Sequence, residues 1–461
     1  MRFLHRSLSR LPALLLALAA LSVFTARPAL AQSILRDAET EAVLHDMAAP
    51  LIEAAGLEPD NVEIILVNDP SVNAFVAGGQ AVYINSGLIS AAGNANEVQG
   101  VIAHELGHIT GGHILRSGDG IKAASNISIL SMLIGLGAAL AGAPEAGMAA
   151  MQLGQRAAMG KFLAFSRAQE SSADAAGAQF LSGAGISGRG SIDFFKRLQN
   201  MEFRRGFRRS ARGDEEYNRT HPMSGDRISM LREVYTVDPA WDTPSDPELE
   251  TRFRRMQAKL YGYLASPEDT LRKYPPSMTG DEARVARAYA YHKDALMDRA
   301  SSEIEALLAK HQDDPYLLEI KGQVLLESGR PEEALAPLRR ATEITRSEPL
   351  IATIFGHALI ATEDKDNFAE AERVLKASVQ RDRYNPFGWY QLGVVYAARG
   401  DMARARLATA EQQVLSRQMQ RALQSAEAAL GALPEGSPDW LRAQDIAMQA
   451  RAALEVEREG R

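Results

Sequence analysis

Residues 98–109 read Val98-Gln99-Gly100-Val101-Ile102-Ala103-His104-Glu105-Leu106-Gly107-His108-Ile109. The apolar positions Val98, Val101, Ile102 and Ile109 frame a helix that is expected to be buried. On a helix, residues four apart share a face, so His104 and His108 present two imidazoles side by side. Such a pair can fill adjacent corners of a zinc tetrahedron, with Glu105 beside the open corner as general base. Two polar rings and a carboxylate placed in a core need partners. A metal ion supplies them.

Zinc requires a third protein ligand. One candidate is His113, in Ile109-Thr110-Gly111-Gly112-His113. A metzincin pattern would put its third histidine at position 114, which is Ile114. On a continuous helix His113, five residues past His108, would face away. The better candidate lies in Ser166-Arg167-Ala168-Gln169-Glu170-Ser171-Ser172-Ala173-Asp174. Here Glu170 and Asp174 share a helix face, and Ala173, Ala175 and Ala176 leave room for close packing. Glu170 can complete a His₂Glu site, while Asp174 can accept the free ring N–H of a ligand histidine.

Around this segment the pattern is mixed. Ile34 to Ala55 reads as one amphipathic helix. Val62 to Val67 and Ala81 to Ile84 read as short strands with Gly78-Gly79 as the turn between them. Pro239 to Pro247 and Pro267 to Pro276 read as loops or linkers. From Asp281 the chain repeats. Small residues at Ala288, Gly322, Gly356 and Gly393 are spaced by 34, 34 and 37. Ala300, Ala334 and Ala405 follow in phase, with Ala371 displaced by three. Pro315, Pro349 and Pro386 close successive units, and the polar loop Glu363 to Asn367 absorbs the longer step. Trp389, Leu392, Gly393 and Tyr396 have first-helix spacing, and the whole half resembles tetratricopeptide repeats. Such repeats stack helix pairs whose concave face binds extended peptide or a partner.

Composition sets the compartment. The 461 residues are 46% hydrophobic and 24% charged, with no cysteine and a net charge of −7. These values exclude a disulfide framework, a thiolate metal site, a cysteine nucleophile and an overall basic nucleic-acid binder. Arg2, Arg6 and Arg10 precede an apolar run from Leu11 to Phe24. Ala29-Leu30-Ala31 then matches a signal-peptidase site, so residues 1–31 are expected to be a leader cleaved after Ala31. Its loss removes basic residues and no acid. Ile127 to Ala143 is apolar but broken by Pro144 and Glu145, and is expected to form a buried or membrane-touching helical hairpin over the active site. Lys196 to Arg212 is basic and is read as a solvated arm.

Four motifs occur in order: Asn73-Ala74-Phe75 ahead of Gly78-Gly79, then His104 to His108, Glu170 with Ala173-Asp174, and Thr220-His221-Pro222. Together they resemble HtpX-like and CAAX-prenyl-protease-like zinc peptidases over about Gln32 to Leu264. The resemblance implies an α+β, mostly helical chain in which a gluzincin-type zinc peptidase domain (residues 32–264) precedes an α-solenoid. A linker (265–280), repeats (281–430) and a helical extension (431–461) would complete it. It implies Zn²⁺ ligands His104, His108 and Glu170, Glu105 as general base, and substrate-backbone contacts at Asn73 and Ala74. His221 and Arg227 would steady the transition state, or His221 would be a fourth ligand that shuts the site as a switch. An extended substrate would pair with the edge of Ala81 to Ile84.

With a leader and repeats, the resemblance further implies a periplasmic endopeptidase. Its substrates would be misfolded or stalled outer-membrane proteins, and its partners would include their assembly machinery. The alternative is a chaperone or scaffold acting through the repeats, with the protease normally closed. No nucleic-acid partner is implied, and a peripheral membrane contact is compatible with either.

Overall fold

The structure, a computed structural model, describes residues 33–140, 144–205, 221 and 225–459. The leader read over 1–31, the arm from 206 to 212, Thr220 and Pro222 lie outside the described residues.

Asp37 sets the first break in the chain. It is extended (φ −156°), and its carboxylate accepts the Thr40 N–H to cap α1, Ala38–Ala54. An N-cap residue sits in the β region, so the residues before it leave the helix. Ser33–Leu35 form β1 instead, which corrects the single helix expected from Ile34. β1 pairs antiparallel with β2, Glu63–Asn68. Two further strands follow, β3 at Ala74–Ala77 and β4 at Ala81–Asn85. Gly78 and Gly79 have φ of +65° and +107°, which only glycine adopts readily, and they turn β3 into β4. The Gly-Gly turn therefore joins β4 to a short strand that was not foreseen, whereas β2 and β4 pair in parallel.

The sheet order is β1-β2-β4-β3. β4 is interior, with β2 on one side and β3 on the other. The expectation that a substrate pairs with the edge of Ala81 to Ile84 is thus corrected. Among the described residues the edge on that side belongs to β3.

Helices α2 (Ser86–Ala91), α3 (Ala95–Thr110), α4 (His113–Leu140) and α5 (Pro144–Gly183) follow. After them come α6 (Arg189–Arg205), α7 (Gly225–Thr236) and α8 (Pro247–Leu264). Helix α3 is buried on all sides from Ala95 to Gly107. It lies in a core with Leu44, Met47 and Leu51 of α1, Val82 and Ile84 of β4, Phe194 of α6, and Phe253 and Met256 of α8. The α4–α5 hairpin forms as expected, but it is not buried. Ile129, Leu130, Leu133 and Leu153 are all exposed. Among the described residues no helix is long and apolar enough to cross a membrane.

The stretch from Pro267 is a helix, α9 (Pro267–Lys273), rather than a loop, because Pro267 sits at its first turn and Ser266 caps it. Its neighbour Tyr274 packs with Ala258, Ala283 and Ala286. Helix pairs then stack to the end of the chain: α10 (Asp281–Lys293) with α11 (Met297–Leu308), and α12 (Pro315–Glu327) with α13 (Pro331–Ile344). The pairs α14 (Pro349–Ala361) with α15 (Phe368–Arg381) and α16 (Pro386–Ala398) with α17 (Met402–Leu415) come next, then α18 (Met419–Leu430) with α19 (Pro438–Glu459). Pro315, Pro349 and Pro386 open first helices behind the caps Asp314, Glu348 and Asn385 rather than closing units. Proline lacks an N–H that the first turn would leave unpaired anyway. Gly322 and Gly356 admit Leu338 and Leu375 of the partner helix where a Cβ would overlap them. The longer step is taken up by a 3-10 turn at Lys365–Asn367.

Candidate metal centre

The site begins with the packing of α3 on α5. A Cβ at Gly107 would stand 2.5 Å from the Ala173 carbonyl oxygen, and one at Gly177 would stand 3.1 Å from the Ala103 backbone. The two helices are therefore nearly in backbone contact. That approach brings Glu170 and Asp174 of α5 against His104 and His108 of α3.

His104, His108, Glu170 and His221 are buried, and one ligand atom from each lies within 4.8 Å of all the others. The edges of this group are short. His104 Nε2 lies 3.1 Å from His108 Nε2 and 3.2 Å from His221 Nδ1. Glu170 is 3.4 Å from His104 Nε2, 3.5 Å from His108 Nε2 and 3.3 Å from His221 Nδ1. Ligands about 2.1 Å from a tetrahedral ion are about 3.4 Å apart. The donor set matches a metal tetrahedron.

Charge supports the same fit. Among the described residues, the buried carboxylates Glu105, Glu170 and Asp174 face a single permanent cation, Arg227. Glu105 has both oxygens buried without a hydrogen-bond partner, an arrangement costly for a carboxylate. Burial pushes its carboxyl up, against the nearby His221 and His104 rings. Burial opposes ionisation of Glu170 as well, but hydrogen bonds from His104 and His221 hold it well below the usual carboxylate range. The two helix histidines diverge. Burial lowers His104, yet Asp174 and Glu170 override it and raise the ring to about 10. His108 falls to about 2 through burial and the neighbouring His104. Facing Nε2 atoms 3.1 Å apart cannot both carry a hydrogen, whereas both can face one dication.

A ring of supporting contacts surrounds the cluster. Asp174 Oδ1 lies 2.9 Å from His104 Nδ1, the nitrogen turned away from the cluster. Arg227 clamps Asp174 with Nε and Nη2 at 2.7 and 2.8 Å and reaches Glu170 with Nη1 at 3.0 Å. The guanidinium so grips two carboxylates, a positioning arrangement rather than one aimed at a reacting carbonyl. His113, read as facing away, instead bonds His108 across a 2.9 Å Nδ1–Nδ1 contact. The chain breaks at Gly111-Gly112, with Gly112 at φ +61°, and turns His113 back. The adjacent glycines were the available signal. His113 stays outside the four-residue cluster. Asn73 is buried beside β3, and its carbonyl accepts the Asn85 N–H at 2.9 Å.

Residues 36–235 match the model of Peptidase family M48. The beta-barrel assembly-enhancing protease of Yersinia pestis is 23% identical over 81% of this chain and 76% of its own length. Its Escherichia coli (strain K12) counterpart is 23% identical over 86% of this chain and 81% of its own length. Metalloprotease LoiP of Escherichia coli (strain K12) is 29% identical over 39% of this chain and 65% of its own length. Among solved structures, that of MamA covers 37% of this chain at 19% identity with a TM-score of 0.28. With a buried donor set that fits a metal tetrahedron inside the segment similar to Peptidase family M48, the chain is a metalloprotease.

Proposed function

We propose that the chain is a zinc endopeptidase of the periplasm acting on misfolded or stalled outer-membrane proteins. The observation that carries the chemistry is the buried carboxylate of Glu105, without a hydrogen-bond partner among the described residues, beside the ligand atoms of His104, His108 and Glu170. Those three residues would hold the zinc, which when bound supplies Lewis acidity toward a water and a peptide carbonyl. Glu105 takes a proton from the attacking water and returns it to the leaving amine. Asp174 fixes the His104 ring and Arg227 fixes Asp174, so the ligand face keeps its direction. An extended substrate would add to the edge of β3, next to Asn73 and Ala74. The outer-membrane setting rests on the relatives named beta-barrel assembly-enhancing protease.

A second reading is favoured by one specific contact. His221 Nδ1 stands at the fourth corner, and His221 Nε2 lies 3.5 Å from Glu105 Oε1. In that position the histidine competes with water, so the resting protein would act through its repeats as a chaperone or scaffold.

Metal content and casein cleavage of three proteins separate the readings. Glu105→Gln is expected to keep one zinc per chain and lose at least 10²-fold in cleavage. Cleavage near the wild-type rate would remove Glu105 from the chemistry. At equal zinc, His221→Ala is expected to cleave faster. A large fall would instead give His221 a transition-state role.

A further inference from the structure

The α4–α5 hairpin is packed inside out. Where the two helices meet, small residues face each other. Ser131 is buried against Gly154, where a Cβ would overlap the serine side chain, and Ala158 is buried one turn further on. The large apolar side chains stand outside. Ile129, Leu130, Met132, Leu133, Ile134 and Leu136 of α4 are all more than half exposed, Leu133 to 62%. At 3.6 residues per turn these six cover roughly 200° of the helix circumference, its whole outward face. From Ala123 to Pro144 the chain has no charged residue.

A contiguous apolar surface of this kind marks a contact site on a protein. Association through small residues with large apolar groups outward is how helices pair when the surroundings are lipid. Charge completes the pattern. Lys122 at the foot of α4, and Arg156 and Lys161 on α5, are exposed. On α5 the exposed Gln152, Arg156 and Lys161 stand among the exposed Leu153, Met159 and Leu163, so the hairpin joins a wide apolar surface to basic side chains. This is the make-up of a helix that lies in an anionic membrane surface. No described helix is long and apolar enough to cross a bilayer, which leaves an orientation in its plane.

We propose that the α4–α5 hairpin is an interfacial membrane anchor. It lies in the plane of one leaflet, with the outer face of α4 among acyl chains and Lys122, Arg156 and Lys161 among anionic headgroups. Glu170 follows Phe162 by eight residues on the same helix, about 12 Å along its axis. The anchor therefore holds the metal cluster close above the membrane surface.

Flotation of the full chain with vesicles of phosphatidylethanolamine and phosphatidylglycerol tests this, with phosphatidylcholine vesicles as the uncharged arm. Wild type is expected to float with the anionic vesicles and several-fold less with the uncharged ones. Leu130→Asp combined with Leu133→Asp should lower partitioning by about tenfold or more. Its helicity and its casein cleavage without vesicles should stay at wild-type level. Leu133→Met should float like wild type. Wild type left at the bottom of the gradient, or an aspartate variant that floats equally, overturns the anchor. A wild-type oligomer in sedimentation equilibrium that the aspartates dissolve also overturns it, because a second copy then covers the face. Equal flotation with both vesicle types overturns the role of the basic residues.

Discussion

His113 shows how a single side chain sets the character of the metal site without joining it. His108 turns Nε2 to the cluster, so its neutral ring carries the hydrogen on Nδ1 and donates it to His113 Nδ1, 2.9 Å away. Burial lowers His113 and keeps it neutral, as an acceptor must be. Such outer contacts fix ring direction and raise ligand basicity, typically by 10–100-fold in affinity. His113→Ala should therefore weaken zinc binding by about that factor in a chelator competition while leaving the fold intact. Glu170→Ala should bind zinc far more weakly, since it removes the one anionic member of the cluster and leaves three imidazoles. An unchanged affinity in His113→Ala would show that the contact orients nothing.

Between helices the decisive feature is the approach of α3 to α5. Gly107 meets Ala173 backbone, which cannot swing aside as the tip of a flexible side chain can. Gly107→Ala must separate the helices, and overpacking of this kind costs about 1–3 kcal/mol. The same separation pulls Glu170 and Asp174 away from His104. The variant should melt several degrees lower and bind zinc poorly. Gly177→Ala, whose Cβ would stand 3.1 Å from Ala103 backbone, should be the milder of the two on both measures. The reverse order, in melting temperature and metal content together, would contradict this packing account.

Across the whole molecule, ion pairs tie the repeats to the peptidase segment. Arg255 of α8 bridges Glu39 of α1 at 2.5 Å and Asp314, the cap of α12, at 2.6 Å. Within the peptidase segment Lys259 binds Asp37 at 2.5 Å, and from the same segment Arg36 reaches Asp382, behind α15, at 3.0 Å. A cavity of about 630 Å³ opens beside them, lined by Asp37, Lys259, Glu319 and Tyr384 among others. Burial pushes the Glu319 carboxyl up to about 8, although Lys259 pulls the other way. Its folded value is thus above its unfolded one of 4.5. Below pH 4.5 the group is neutral in both states and costs nothing. Between 4.5 and 8 the unfolded chain releases the proton first, so stability falls as pH rises, and above 8 the full cost is present. Glu319→Gln removes that cost. Its melting temperature should match wild type near pH 4.5 and exceed it progressively up to about pH 8. A constant difference across that range would place the carboxylate in water.

Helical periodicity made much of this protein legible from residues alone. The four-residue step from His104 to His108, and that from Glu170 to Asp174, follow from the turn of an α-helix whatever the rest of the chain does. The 34-residue period foretold the stacked helix pairs of α10 to α17, because each unit repeats one local pattern. Other features depended on contacts between distant segments. His221 reaches His104 across 117 positions, and no local rule ranks one distant histidine over another. Strand order put β4 inside the sheet and left β3 at the edge, although β4 carries the stronger strand pattern. The turn of His113 back onto His108 needed a left-handed Gly112, and the exposed face of α4 needed the small-residue seam with α5. Short-range geometry wrote the ligand helix into the sequence. Long-range packing chose which side chains meet it and which surfaces stay bare, because those contacts join segments far apart in the chain that no local periodicity relates.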